Sequence, residues 1–374
     1  MLNILGIGKK ADQERGEYLS VTQLMVRRFK RHMLARVSLV GLVILYTIAI
    51  LGSFVAPYDA NPRFKGFTNA PPTTIHFVDE DGTWIGPTIY KLEKTVDPET
   101  FKSTYEADRE QGYPIRLFVR GDEYKVLGLL TLDWHLFGVK AQEIPMALCG
   151  TDEVGRDILS RIIIGARVSM FIGLVGVTIS FVLGCLIGGI SGYFGGLVDE
   201  VIQRFIDLLI CIPTIPLWIA LSAAIPREWS VVQTYFAITV VLAVVGWTGL
   251  ARVVRGKLLS LRDIDFVIAS RISGGSDMFV IIAHLLPNFM SYLIVSITNS
   301  IPSMILAETA LSFIGVGMQE PAVSWGVLLQ ETMNFTALVH YPWKLIPVIP
   351  VILVVLMYNA VGDGLRDAAD PYSL

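Results

Sequence analysis

A six-span α-helical membrane protein with a small mixed α/β external insert after the first span is the fold class this sequence predicts. Three observations predict it. Of 374 residues, 53% are hydrophobic and 17% charged, with mean hydropathy +0.58, whereas soluble domains carry roughly a quarter charged residues. The apolar residues gather in six runs near the ~20-residue length that crosses a bilayer. Between the first two runs, residues 57–150 turn abruptly to Asp, Glu, Lys and Pro with interspersed aromatics.

The spans run from about Val37 to Val55, Val168 to Ile190, Phe205 to Ala224, Phe236 to Val253, Phe289 to Ile314 and Leu345 to Val361. The third carries Asp207, Pro213 and Pro216. Its prolines predict a kink that could open a cavity, though packed spans also tolerate Pro, and Asp207 is expected to pair with Arg204. The chain divides into a cytoplasmic segment 1–36, a transmembrane helix 37–56, the external insert 57–150, a transmembrane core 151–363 containing a cytoplasmic loop 254–287, and a cytoplasmic tail 364–374.

Orientation follows from charge. Arg27, Arg28, Lys30, Arg31 and Arg36 precede the first span, which places the N-terminus in the cytoplasm, and six spans return the C-terminus to the same side. The apolar run behind these charges is too long for a cleavable signal and lacks a small-residue cleavage site. The cytoplasmic interval 252–287 holds Arg252, Arg255, Lys257, Arg262 and Arg271, and the external interval 316–343 holds no Lys or Arg. Arg156, Arg161 and Arg167 run against this pattern; Glu153 and Asp157 accompany them, and a long translocated loop is largely exempt from the charge rule.

Within the insert, Pro114–Arg120 alternates like a half-buried strand, and Glu99–Gln111 could form a short helix. Aromatic and aliphatic residues suffice for a modest core. A unit of this size is marginal alone, so it is expected to lean on the membrane part or on a partner.

Several function classes drop out. A net charge of −3 gives no basic stripe for nucleic acid. Cys149, Cys185 and Cys211 lack metal or redox spacing, and the five histidines are scattered, so no metal site is expected. No phosphate-cradling G-x-x-x-x-G-K-[ST] occurs: Gly256-Lys257 is followed by Leu258, without the hydroxyl that would hold Mg²⁺. No catalysis and no cofactor are assigned to this chain.

Polar residues inside spans are costly and face a cavity or a helix interface. Ser296, Asn299 and Ser303 share one face of the fifth span by their spacing and could line a translocation path, but Ser and Asn serve equally as glue between helices. Glu308, near the external end, is a further candidate for that path and could meet water, substrate or a delivering protein. An ion-coupled secondary transporter would show inverted repeats and paired intramembrane charges, neither of which is clear here; a membrane-anchored binding module would make the insert the working part.

The interval Asp265–Asn288 is a charged helix-forming stretch between two spans. Phe266, Val267 and Ala269 can dock on a partner while Arg271 and Asp277 stay at the edges. Gly274 permits a sharp turn, and Pro287 marks the restart into the fifth span.

The pattern Ala269-Ser270-Arg271, Gly274, then His284-Leu285-Leu286-Pro287-Asn288 resembles the "EAA" coupling loop of bacterial ABC-importer permeases. The resemblance extends to Gly150-Thr151-Asp152-Glu153-Val154-Gly155-Arg156-Asp157 with Ser160-Arg161 and Gly165-Ala166-Arg167-Val168-Ser169, a pattern of the C-type permeases of oligopeptide and dipeptide importers. Gly192–Gly196, Ala251–Gly256, Ala307–Gly315, Ser324-Trp325-Gly326 and Gly362–Pro371 also match, covering about 36–56 and 148–372. It implies a type I importer permease in a bacterial inner membrane, paired with a second permease subunit. Two cytoplasmic ATPase subunits, carrying the ATP and Mg²⁺, would grip the coupling loops and move the 265–278 helix as a lever; an external solute-binding protein would deliver cargo. The implied cargo is oligopeptides or dipeptides, with oligosaccharides or other solutes as the alternative within the same machinery. Two departures stand out: Ile268 replaces the motif's Glu, and Ser270 its second Ala. The insert is longer than the family's usual loop, which points to a specialised branch whose substrates need not be peptides.

Overall fold

The computed structural model describes residues 21–369 apart from 80, 97, 99–102, 127–129, 141–143 and 227. The ends of the expected cytoplasmic segments, 1–20 and 370–374, lie outside the described residues. An amphipathic helix α1 (Val21–Phe29) turns into α2 (Met33–Ile50), where the His32 ring accepts from the Ala35 N–H and caps the helix. A single turn, α3 (Gly52–Val55), leads into the insert.

Helix α4 (Ile158–Phe194) is about 55 Å at 1.5 Å per residue and exceeds the ~30 Å hydrocarbon layer. Asp157 caps its start by accepting from the Ser160 N–H. Its end is set by Gly195, whose φ of +66° no ordinary residue holds easily. Then come α5 (Gly196–Cys211) and α6 (Thr214–Ala223), which meet at 87°. Pro213 lies between them, lacking the N–H that would continue the helix; the kink expected in the third span is a near right angle. Ser230 and Gln233 form a reciprocal cap that opens α7 (Val231–Leu261). The remaining helices are α8 (Asp265–Ile272), α9 (Asp277–Ile314), α10 (Trp325–Gln330), α11 (Phe335–His340) and α12 (Val348–Ala369).

Among the described residues, five helical segments are long and apolar enough to cross a membrane, and the α5–α6 pair makes a sixth candidate. The fifth span begins earlier than the sequence suggested. Pro287 is not its restart: Ser276 caps a helix that starts at Asp277 and passes through π-helical Val280–Leu285 and a tight turn at Leu286–Phe289. The widened and narrowed turns accommodate the N–H that Pro287 lacks.

Helix α4 is the spine. Its Met170, Ile172 and Val177 join Ile238 and Leu242 of α7, Ile301, Ile305 and Leu311 of α9, and Val351, Val354 and Tyr358 of α12 in one core. A stripe of Gly184, Gly188 and Gly192 brings α4 against α7. A Cβ at Gly192 would lie 2.6 Å from the Arg255 carbonyl oxygen, and one at Gly188 would fall on the carbonyl of Ala251, 2.7 Å from its Cα. Small residues at this spacing let helix backbones meet where lipid offers no hydrophobic drive. Asp207 pairs with Arg252 of α7. The sequence-based expectation of Arg204 is corrected: Arg204 faces Glu200, one turn back on its own helix, at 3.9 Å.

The described part of the insert is built of strands. β1 (His76–Val78), β2 (Trp84–Val96) and β3 (Ser103–Pro114) form an antiparallel sheet in that order, and β4 (Arg116–Val126) pairs with β5 (Leu130–Gly138). The alternating strand expected over 114–120 is met from Arg116 onward as the first half of β4, after a break at Ile115. The helix expected over 99–111 is overturned for the described residues 103–111, and 99–102 lie outside them. Helix-favouring Glu, Ala, Arg and Gln are held in β3 by pairing with β2, Glu106 opposite Glu93 and Tyr105 opposite Lys94. The Tyr105 hydroxyl also donates to the Thr68 carbonyl at 2.6 Å. Tertiary pairing outweighs a weak intrinsic preference. The insert leans on the membrane part: Phe64 N–H donates to the Gly155 carbonyl, Asn69 N–H to that of Asp152, and Tyr58 N–H to Ser160 Oγ.

Candidate functional site

Two features frame a cavity between the helices: a buried polar closure at the insert end and a short helix at the other. At the insert end, Asp152 accepts from Arg156 Nε at 2.5 Å and from Arg161, and both arginines donate to Glu320, Arg161 at 2.9 Å. Asp152, Arg156 and Arg161 are all buried, and two positive and two negative groups balance. The Arg156 hydrogen bond, ahead of the Coulomb attraction, holds the Glu320 carboxyl below its ordinary value. Beside this network, buried Lys344 reaches Glu331 at 3.0 Å and Glu153 at 3.3 Å; burial pushes the Glu331 carboxyl upward against the opposing pull of Lys344. Asp157 is pushed up to about 6 by burial, in keeping with its Oδ1, which is buried and finds no hydrogen-bond partner. The arginines that opposed the charge rule are thereby explained. Arg156 and Arg161 are neutralised, and Arg167 donates to the carbonyls of Ala49 and Ile50 at the end of α2.

Just beneath lies a second buried knot. Glu308 is fully buried and accepts from Ser312 Oγ at 2.8 Å and Ser169 Oγ at 3.3 Å. Ser169 Oγ in turn accepts from the Trp325 N–H, and the Trp325 indole donates to the Ile162 carbonyl. A Cβ at Gly326 would sit 2.6 Å from the Thr309 carbonyl oxygen, so α10 lies directly on α9. These contacts lock α4, α9 and α10 together.

Below the knot a cavity of about 1110 Å³ runs along α9 from Asn288 to Ala307, roughly 28 Å at helical rise. Its walls include Val177, Ser180 and Phe181 of α4, Leu242 and Gly246 of α7, and Thr214 and Trp218 just past the α5–α6 bend. The lining is mostly apolar, with hydroxyls and an amide set into it at Ser180, Thr214, Ser296, Asn299, Ser300 and Ser303. Its charged lining residues, Arg366 and Asp367, lie at the mouth away from the insert. The cavity ends one residue short of Glu308.

At that mouth sits α8. Phe266, Ile268 and Ile272 are exposed, Ile272 by 82%, while Val267 is fully buried. Val267 packs with Tyr193, Leu258, Val280, Ile281 and Leu285, which corrects its assignment to an outward docking face. The helix ends by a left-handed Gly274, φ +85°; the N–H of Gly274 donates to the Arg271 carbonyl and that of Gly275 to Ser270, the usual way a glycine stops a helix. The expected lever over 265–278 is thus two helices, broken at Gly274. Ser276 Oγ accepts from the Phe279 N–H to start the next one.

The sequence-derived residues fall into three places. Ser296, Asn299 and Ser303 share the cavity wall, and Asn299 also presses on Gly362 of α12, where a Cβ would strike its amide. Glu308 lies apart from the cavity and from solvent, which corrects the expectation that it meets water or cargo: the hydroxyls of Ser169 and Ser312 satisfy it inside the protein. Phe266, Ala269, Ser270, Arg271, Gly274, Asp277, His284 and Pro287 all lie at the loop end, with Arg271 and Asp277 joined through Tyr193 and the His284 ring edge-on to Phe279. Sequence reasoning missed Glu320, Lys344 and Tyr193. The i,i+4 spacing of Asp152 and Arg156 was the one local signal for the network.

Residues 181–372 match the family described as the binding-protein-dependent transport system inner membrane component, and residues 20–72 match the N-terminal transmembrane domain of oligopeptide transport permease C. The chain is 30% identical over 364 residues to the dipeptide transport system permease protein DppC of Bacillus subtilis, spanning 97% of this chain and 89% of that one. The oligopeptide transport system permease protein OppC of the same organism is 36% identical over 59% of this chain and 70% of its own length. The insert lies inside the span matched to DppC. Among solved structures, the inward-facing MetNI methionine ABC transporter aligns with 56% of this chain and 97% of its own at 18% identity, with a TM-score of 0.44. By the match over 181–372 and the full-length likeness to DppC, the chain belongs to the family of binding-protein-dependent transport system inner membrane components.

Proposed function

We propose that this chain forms one half of the membrane pathway of an ATP-binding-cassette importer that takes up dipeptides or oligopeptides. The observation that carries the reading is the cavity itself, sealed toward the insert by the Glu308 knot and running to a mouth beside α8. In this reading the insert side is external and both termini are cytoplasmic. A second permease completes the pathway, a solute-binding protein docks on the insert side, and two ATPase subunits, which bind the ATP and Mg²⁺, grip α8. No cofactor belongs to this chain. The relatives' peptide cargo fits a mostly apolar wall carrying scattered hydroxyls and amides, which can exchange hydrogen bonds with main-chain amides whatever side chains pass.

The docking face is Phe266, Ile268, Ala269 and Ile272. Ile268, where the family carries Glu, replaces a charge-assisted contact with an apolar one. Aspartate at both Phe266 and Ile272 therefore buries two unpaired charges in the interface and is expected to lower co-purification of the ATPases by at least ~100-fold. Undiminished co-purification would contradict the reading.

A further inference from the structure

Tyr193 sits one residue from the end of α4, almost fully buried, in the core cluster shared by α7, α8 and the start of α9. Its hydroxyl is used twice. It accepts from Arg271 Nε at 2.9 Å and donates to Asp277 Oδ1 at 2.7 Å. The Arg271 guanidinium also lies over the Tyr193 ring, 4.5 Å from its centroid, a favourable arrangement for a cation on an aromatic face. Arg271 is in the last turn of α8 and Asp277 in the first turn of α9. One phenol thus bridges the two sides of the Gly274 reversal and fastens both to α4.

That fastening differs from ordinary packing. The apolar contacts of Val267 in the same cluster have no direction and tolerate sliding. The Tyr193 hydroxyl is directional, and both of its partners are charged, which strengthens its bonds, while water around the exposed partners brings them back toward ordinary strength. From Tyr193 the same helix runs past the cavity at Phe181, Ser180 and Val177 to Ser169 in the Glu308 knot and Arg161 in the ion network. A displacement of α8 is therefore delivered, through one side chain, to the helix that holds both the cavity wall and its closure.

We infer that Tyr193 is a positioning residue for energy coupling: it transmits the movement of α8 to α4, so that its loss separates ATP hydrolysis from transport. This rests on the proposed docking of ATPases at α8. The test uses the complete importer in proteoliposomes, measuring ATP hydrolysis and uptake of a labelled dipeptide together. Tyr193→Phe keeps the ring, its burial and the stacked guanidinium but removes both hydroxyl bonds. Peptide taken up per ATP hydrolysed is expected to fall about tenfold, the factor that one or two such bonds of ordinary strength supply, while hydrolysis stays within about twofold. Uptake per ATP within about twofold of the unaltered importer would overturn the inference, because a merely structural role would scale both activities alike. If Tyr193→Phe fails to assemble, Arg271→Gln combined with Asp277→Asn loosens the same bonds from their solvent-exposed partners, and the same ratio decides. The aspartate variants at Phe266 and Ile272 separate the two claims: ATPases that remain bound to them overturn the docking reading, whereas an unchanged ratio in Tyr193→Phe with docking intact overturns only the role of Tyr193.

Discussion

Arg161→Ala is expected to lose about 3–5 kcal/mol of stability, the range for removing one partner of a buried ion pair, and to lower the melting temperature in detergent by roughly 10 °C. Arg161 is 1% exposed and Asp152 2% exposed, so the pair is not screened by bulk water. Asp152 would keep Arg156 on one oxygen, but its charge would no longer be balanced, and Glu320 would lose the 2.9 Å bond that ties its loop to α4. The insert would loosen as well, because the Asp152 carbonyl accepts from Asn69 and the neighbouring Gly155 carbonyl from Phe64. Arg167→Ala, which removes only donors to the α2 carbonyls, is the control and is expected to cost about 1 kcal/mol. Equal melting temperatures for the two variants would show that the network is not the anchor described.

Gly188→Val is the other large effect, and its cause is steric. The atoms that a Cβ would meet at Gly188 are backbone atoms of Ala251, which no rotamer change can move aside. Accommodating valine requires α4 and α7 to separate along the Gly184–Gly188–Gly192 stripe. Overpacking of about 1–3 kcal/mol then adds to the weakened helix–helix packing on either side. Folded, monodisperse protein is expected to be nearly absent. The contrast lies one turn away. At Gly184 the nearest atoms are Cβ, Cγ and Cδ2 of Leu250 at 3.0 Å, a contact that a shift of a few tenths of an ångström relieves, so Gly184→Ala is expected to be tolerated where Gly188→Ala is not. Size-exclusion profiles and melting curves of the two alanine variants check this ordering.

What the sequence disclosed followed from how local each cause is. Apolar runs specify spans because a bilayer demands ~20 apolar residues in a row, and Pro213 announces the break after α5 because a missing N–H acts where it stands. The site was half legible for the same reason: Ser296, Asn299 and Ser303 share a helix face by spacing alone. Glu308 misled because depth along a span says nothing about which hydroxyls fold over it; Ser169 lies 139 residues away. Glu320 and Lys344 find Arg161 and Glu153 across 159 and 191 residues, and Tyr193 meets Arg271 across 78. Such pairs are created by helix packing and carry no mark in the sequence. The failed helix over 103–111 is the same lesson in the insert, where a cross-strand partner outweighs local propensity.

The central claim is that the cavity below the Glu308 knot is one wall of a pathway whose access is switched by ATP. Ser303, exposed on that wall, reports on it directly once Cys149, Cys185 and Cys211 are replaced. In the assembled importer, Ser303→Cys should react with a membrane-impermeant thiol reagent from the ATPase side without nucleotide, and from the insert side when the ATPases are trapped with ATP. Labelling from the insert side without ATP, or labelling indifferent to nucleotide, would contradict the account.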